Sequence, residues 1–127
     1  MFNNDYILTK LNNSKFRASF HLKKKDFEYI EKVGIEKIKS HAYDFINTRL
    51  KPYPTLNDGK QTPYKGHPIF IAQHHCACCC RGCLNKWYQI DKNRELTPKE
   101  VDDIVNLLMD FIEKEVNLYG QNRENNK

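Results

Sequence analysis

The chain has 127 residues and a mass of 15.1 kDa, enough for one domain and too little for two cores. Hydrophobic residues make up 39% and charged residues 29%, and the mean hydropathy is −0.78, a balance that excludes wholesale disorder. No apolar run approaches the roughly 20 residues that cross a bilayer, and the start MFNNDYILTK lacks the pattern of a secretion signal, so no membrane association is expected and the cytoplasm is the expected compartment.

Residues 1–14 are expected to form a flexible N-terminus. The first predicted helix runs from about Lys23 to Val33, with Phe27, Ile30 and Val33 at three-residue spacing and Gly34 as its stop. A second is predicted over Ile35–Leu50, where Ile35, Ile38, Ala42, Phe45, Ile46 and Leu50 form a stripe of helical period. Residues 51–67 hold three prolines and two glycines and read as a long loop, with Asn57-Asp58-Gly59 as a turn signal. Pro68 suits the first position of a third helix, with His67 just before it. Ile69-Phe70-Ile71 also fits a short buried strand, but partner strands are hard to find elsewhere, so helix is preferred.

Residues 76–90 read as one amphipathic helix. On a helical wheel Cys76, Cys79, Cys80 and Cys83 share a face with Trp87, and Cys78 points away. Thr97-Pro98-Lys99-Glu100 is a capping box that opens the last helix. Val101, Ile104, Val105, Leu108, Phe111, Ile112 and Val116 follow at helical spacing, and Gly120 is expected to end it, leaving 120–127 as a flexible tail. The expected fold is all-α or mainly α: one small domain over residues 15–119, with four or five helices and a long Pro/Gly loop.

The net charge is +5 and uneven along the chain. Between Arg49 and Arg94 there are eight basic residues against Asp58 and Asp91. The segment Lys99–Tyr119 carries a net charge of −4. This asymmetry suits a nucleic acid or another phosphate-bearing ligand on the basic side, through Lys60, Lys65, Arg81 and Lys86, provided these share one surface. Gln61 and Thr62 add an amide and a hydroxyl that can donate to phosphate, and Tyr64 and Trp87 add stacking faces. A solvated lysine-rich surface explains the same charges more simply.

All five cysteines lie between positions 76 and 83. So tight a cluster cannot form a spread disulfide framework, and the odd count fits a reducing compartment. Three readings stay open. The thiols can be small hydrophobes in a helix-packing face. They can hold a soft cation, zinc before an iron–sulfur cluster, through Cys79 and Cys83 or the Cys80-Arg-Gly-Cys83 pair, with His74, His67 or His41 completing the set. Or they can do thiol chemistry, with Cys80 and Cys83 as a dithiol activated by Arg81 and a helix N-terminus. No Ser-His-Asp order or paired carboxylates suggest a hydrolase.

The segments Asn57–Pro63, Lys65–Pro68, Phe70–His74, Cys79–Leu84 with Lys86-Trp87, and Arg94–Thr97 resemble an uncharacterised bacterial and phage family, the domain-of-unknown-function family 4186. The resemblance runs from about Phe16 to Glu113. It implies no activity, but it sorts residues. Cys79, Cys80, Cys83, His67 and His74 fall on signature positions and form the candidate metal set. Cys76 and Cys78 fall where relatives are expected to carry hydroxyl residues. Tyr88 falls where relatives are expected to carry histidine, which weakens the metal reading if that histidine is a ligand elsewhere.

Overall fold

The computed structural model describes residues 2–55 and 59–125; Asn57 and Asp58 of the expected turn lie outside the described residues. The described chain is 68% helical and has no strand, which settles the Ile69–Ile71 ambiguity as helix. Among the described residues there are seven α-helices, more than the four or five expected: α1 Asn4–Asn12, α2 Lys15–Ala18, α3 Lys24–Val33, α4 Ile35–Phe45, α5 Pro68–His75, α6 Arg81–Tyr88 and α7 Pro98–Asn125. A π-helical turn, Ile46–Leu50, extends α4 to the end expected for the second helix.

The two extra helices lie in the first 18 residues. Far from fraying, α1 is capped by the Asn3 side chain, which accepts the Tyr6 N–H at 3.2 Å. Leu8 and Leu11 are buried, and Asn4 donates to Asp110 on α7. Ser14 then caps α2 by accepting the Arg17 N–H. At the other end Gly120 does not stop α7. Glycine tolerates helical backbone at a cost of about 1 kcal/mol, and Tyr119 stacks on Phe27 of α3 at 4.1 Å. The helix therefore runs on to Asn125.

α7 is 28 residues long, about 42 Å, and packs against α4, α5 and α1. Its predicted stripe is the core. Ile104, Val105, Leu107, Leu108 and Ile112 are fully buried against Leu11, Ile38, Ala42, Ile46, Leu50, Ile69 and Ala72. The capping box forms as expected: the Thr97 hydroxyl accepts the Glu100 N–H at 3.1 Å, and the Glu100 carboxylate accepts the Thr97 N–H at 2.9 Å. Arg94 adds a bidentate pair to the same carboxylate and holds it at about pKa 2.

The expected single helix over 76–90 breaks. α5 ends at His75, and Ala77 takes left-handed backbone with φ +57°. Cys78 N–H donates to Gln73 C=O at 2.8 Å and Ala77 N–H to His74 C=O at 3.5 Å, a Schellman closure with alanine where glycine is usual. The chain then restarts at Cys80, the N-cap of α6. The wheel of 76–90 therefore does not apply. Cys76 and Cys78, placed apart by that wheel, are both fully buried.

Arg81, expected to face phosphate, is fully buried as the first residue of α6. Its guanidinium donates to the carbonyls of Leu50 (3.1 Å), Asp91 (2.7 Å) and Arg94 (2.7 Å). It ties the end of the π-helical turn to the segment leading into α7 and has no surface to offer a ligand. Arg81→Met should therefore destabilise the fold by at least about 3 kcal/mol in urea unfolding, since it removes a buried cation and orphans its acceptors. An unchanged urea midpoint would contradict this structural assignment.

Candidate metal centre

Three of the five cysteines converge. The sulfurs of Cys79, Cys80 and Cys83 all lie within 4.8 Å of one another, and Cys79 Sγ is 3.5 Å from Cys83 Sγ. A tetrahedral zinc ion with Zn–S bonds of about 2.3 Å needs sulfurs about 3.8 Å apart, so the spacing fits. The break at Ala77 makes this possible. Cys79 sits in the turn, Cys80 caps α6, and Cys83 projects from its first turn, where its own N–H donates to Cys80 Sγ at 3.4 Å. The positive end of α6 thus faces the sulfurs and favours thiolate.

The residue missed in the sequence is Arg17. Buried on α2, it donates to Cys83 Sγ at 3.2 Å, to Cys79 Sγ at 3.6 Å and to the His74 carbonyl at 2.6 Å. It lies 57 to 66 residues from these partners, so no local pattern could announce it. The only signal was a basic residue three positions after a capping serine. Hydrogen bonds from the Cys79 and Cys80 thiols, then the Arg17 contact and charge, hold the Cys83 thiol far below its ordinary range. Cys79, which shares those bonds and is desolvated, is pushed up. Cys76 and Cys78 are pushed up by burial, Cys78 to about 12, and so behave as inert packing groups.

A cavity of about 530 Å³ opens beside the three sulfurs, lined also by Phe16, Arg17, Lys60, Thr62, Tyr64 and His74. Its outer wall is the loop at 59–67. The Thr62 hydroxyl donates to the Cys79 carbonyl at 2.7 Å, and the Gln73 amide donates to Thr62 Oγ1 at 3.2 Å and to the Cys78 carbonyl at 3.1 Å. Gln61 and Thr62 are buried in this framework, so Thr62 pins the loop and its hydroxyl is not offered to a phosphate.

The two candidate histidines separate. His74 lines the cavity, but Nε2 lies 3.2 Å and 3.1 Å from the Thr62 and Pro63 carbonyls and must donate to them. Neither of its ring nitrogens belongs to the group within 4.8 Å. His67 is elsewhere. It caps α5, its Nδ1 accepting the Ile69 N–H at 3.0 Å, so Nε2 carries the hydrogen and points to His41 Nδ1, also at 3.0 Å. Phe45 and Tyr29 pack edge-on against its ring. His41, the other histidine considered as a ligand, is occupied by this pair. Tyr88 donates its hydroxyl to the Cys76 carbonyl and so braces the turn.

These features define a small, mainly helical cysteine-cluster protein whose three convergent thiols face a cleft. The chain belongs to the family described as Domain of unknown function (DUF4186), which matches residues 5–113. No solved structure matches it.

The His67 geometry makes stability depend on pH. Burial, then the nearby His41, lowers its pKa from 6.5 to about 4, and burial also lowers His74 and His75. Between those two pH values the unfolded chain binds a proton that folded His67 refuses. Stability is therefore full above pH 6.5 and falls as pH drops toward 4, by up to roughly 3 kcal/mol for His67. His67→Asn keeps an N-cap acceptor and should shrink the loss of urea midpoint between pH 7 and 5. An equal loss in the variant would disprove the assignment.

Proposed function

We propose that the protein is a metal-binding module in which Cys79, Cys80 and Cys83 hold a zinc ion as thiolates. The observation that carries this reading is the convergence of three sulfurs, two of which, Cys79 and Cys83, accept from a buried arginine. Three thiolates around a divalent cation leave one net negative charge, and the Arg17 guanidinium supplies the balancing positive charge at hydrogen-bond distance. A core of packed neutral thiols gives no reason to bury a guanidinium among them. Free cysteines throughout also suit a reducing compartment, so the cytoplasm remains the proposed location.

Protein purified without a histidine tag should carry about one equivalent of zinc. A chelator should remove it and lower the melting temperature. Cys79→Ser and Cys83→Ser should each abolish stoichiometric binding, while Cys76→Ser and Cys78→Ser should not. The second reading is a thiol-dependent enzyme or redox protein with Cys83 as its thiolate, favoured by the Arg17 contact and the open cleft. Metal-free protein with one fast-alkylating thiol would select it.

Contact with nucleic acid is part of the same proposal, on a smaller set of residues. Arg81 is excluded by burial. Lys60, Lys65 and Lys86 are exposed, but they do not share one cleft: Lys60 lines the cysteine cavity, and Lys65 lines a neighbouring one of about 630 Å³ with Lys23, Lys24, Lys25 and Asp26. Binding of labelled oligonucleotides should weaken steeply with salt. The double variant K60A/K65A should flatten the log–log slope by about one to two units. Binding untouched by that double substitution would remove nucleic acid from the proposal.

A further inference from the structure

The centre described above offers three protein ligands and, among the described residues, no fourth. No histidine nitrogen lies in the group of sulfurs. Three protein ligands facing a cleft is the arrangement of a site that exchanges its fourth ligand, as opposed to a closed structural site. The cleft also has features that the metal alone does not need. Phe16 is 55% exposed and Tyr64 65% exposed, and both of these large aromatic side chains line this one cavity. Tyr64 stacks one face on His74 at 4.2 Å and 8°, which holds its ring in a fixed plane. The charged groups lining the cavity besides the thiols are Arg17 and Lys60, with no carboxylate among the described residues. Arg17 is committed to the sulfurs, so Lys60 is the cation left for a ligand.

A rim of exposed aromatic faces with a lysine beside it suits a planar ring that carries an anion. We propose that the fourth position of the metal centre is open to a nucleotide-class ligand, with its heteroaromatic ring on the Phe16/Tyr64 rim and its phosphate on Lys60. This deepens the metal reading and depends on it. The ligand has two possible sources. It is a free mononucleotide, or it is the phosphorylated end of a single strand. In the second case further phosphates reach the adjoining cavity, which shares Tyr64 and carries Lys23, Lys24, Lys25 and Lys65, with the Asp26 carboxylate accepting the Lys23 N–H.

The test uses the full chain loaded with cobalt(II). Thiolate-to-metal charge-transfer absorption reports the cysteine ligands, and the visible ligand-field bands report the fourth position. Adenosine monophosphate, adenosine, inorganic phosphate and a 5′-phosphorylated oligothymidine are titrated separately. Adenosine monophosphate should shift the visible bands, with adenosine and phosphate each at least about tenfold weaker. Lys60→Ala and Tyr64→Ala should each weaken it by about five- to tenfold while leaving the charge-transfer band intact, which also shows that the site still folds. An oligothymidine that binds more tightly than the mononucleotide, with steep salt dependence, supports the strand-end source. Equal binding supports the mononucleotide. If charge transfer appears but none of the probes moves the visible bands, or if both substitutions leave binding unchanged, this inference is overturned and the metal centre stands. If charge transfer does not appear, the metal reading falls as well.

Discussion

The site depends on a single buried cation. Removing a guanidinium from water costs several kcal/mol unless every donor meets a strong acceptor. Arg17 meets two cysteine sulfurs and one main-chain carbonyl. This constrains both sides of the contact. On one side it requires α2, a four-residue helix with its own serine cap, whose N-terminal turn fixes where the arginine starts. On the other side it gives the sulfurs a partner that a thiolate satisfies far better than a neutral thiol does. The surrounding loop, pinned through Thr62 and Gln73, holds the turn that carries Cys79 against this charge.

A second buried arginine does complementary work on the same helix. Arg81 follows the N-cap Cys80 directly, and its three carbonyl acceptors come from two separate stretches of chain. It therefore anchors the start of α6 to the body of the fold. With that end fixed, Cys80 and Cys83 hold their separation and direction without help from a ligand. The two arginines differ in what they face. One is satisfied by neutral carbonyls and locks a joint, and the other faces polarisable sulfur beside a cleft. Sequence alone gives no way to tell them apart, because both are basic residues near the start of a short helix.

What was legible in the sequence was local. The stripe of α7, the Thr97/Glu100 capping box, Gly34 as a stop and Pro68 with His67 at the start of α5 all depend on neighbours within four residues, and all appear in the structure. The N-terminal helix was not expected: residues 1–14 read as flexible, although the Asn3 cap and the spacing of Leu8 and Leu11 that form α1 are local features. The break after α5 was not legible, because the left-handed position is Ala77 and no glycine marks it. Of the candidate site, the structure brings together the sulfurs of three of the named residues, Cys79, Cys80 and Cys83, by a geometry other than the one expected. Their convergence comes from the turn and the restart at Cys80, with no shared helical face. His67 was separated from them by its cap and by its contact with His41, which spans 26 residues.

The division among the cysteines is the strongest argument against treating the cluster as ordinary core. Cys76 and Cys78 are enclosed, their thiols are pushed toward the neutral form, and hydrophobic packing accounts for them fully. If packing accounted for all five, Cys79, Cys80 and Cys83 would sit among apolar neighbours in the same way. They sit instead at a helix N-terminus and at the edge of a cleft, with Arg17 donating to Cys79 and Cys83. The helix N-terminus and the guanidinium favour negative charge on sulfur, and that charge settles on Cys83, while Cys79 is pushed up. Burying Arg17 is costly, and a thiolate at Cys83 offsets that cost better than a neutral thiol does. The same cluster therefore has one arrangement for filling space and another for holding charge, meeting at the adjacent residues Cys78 and Cys79.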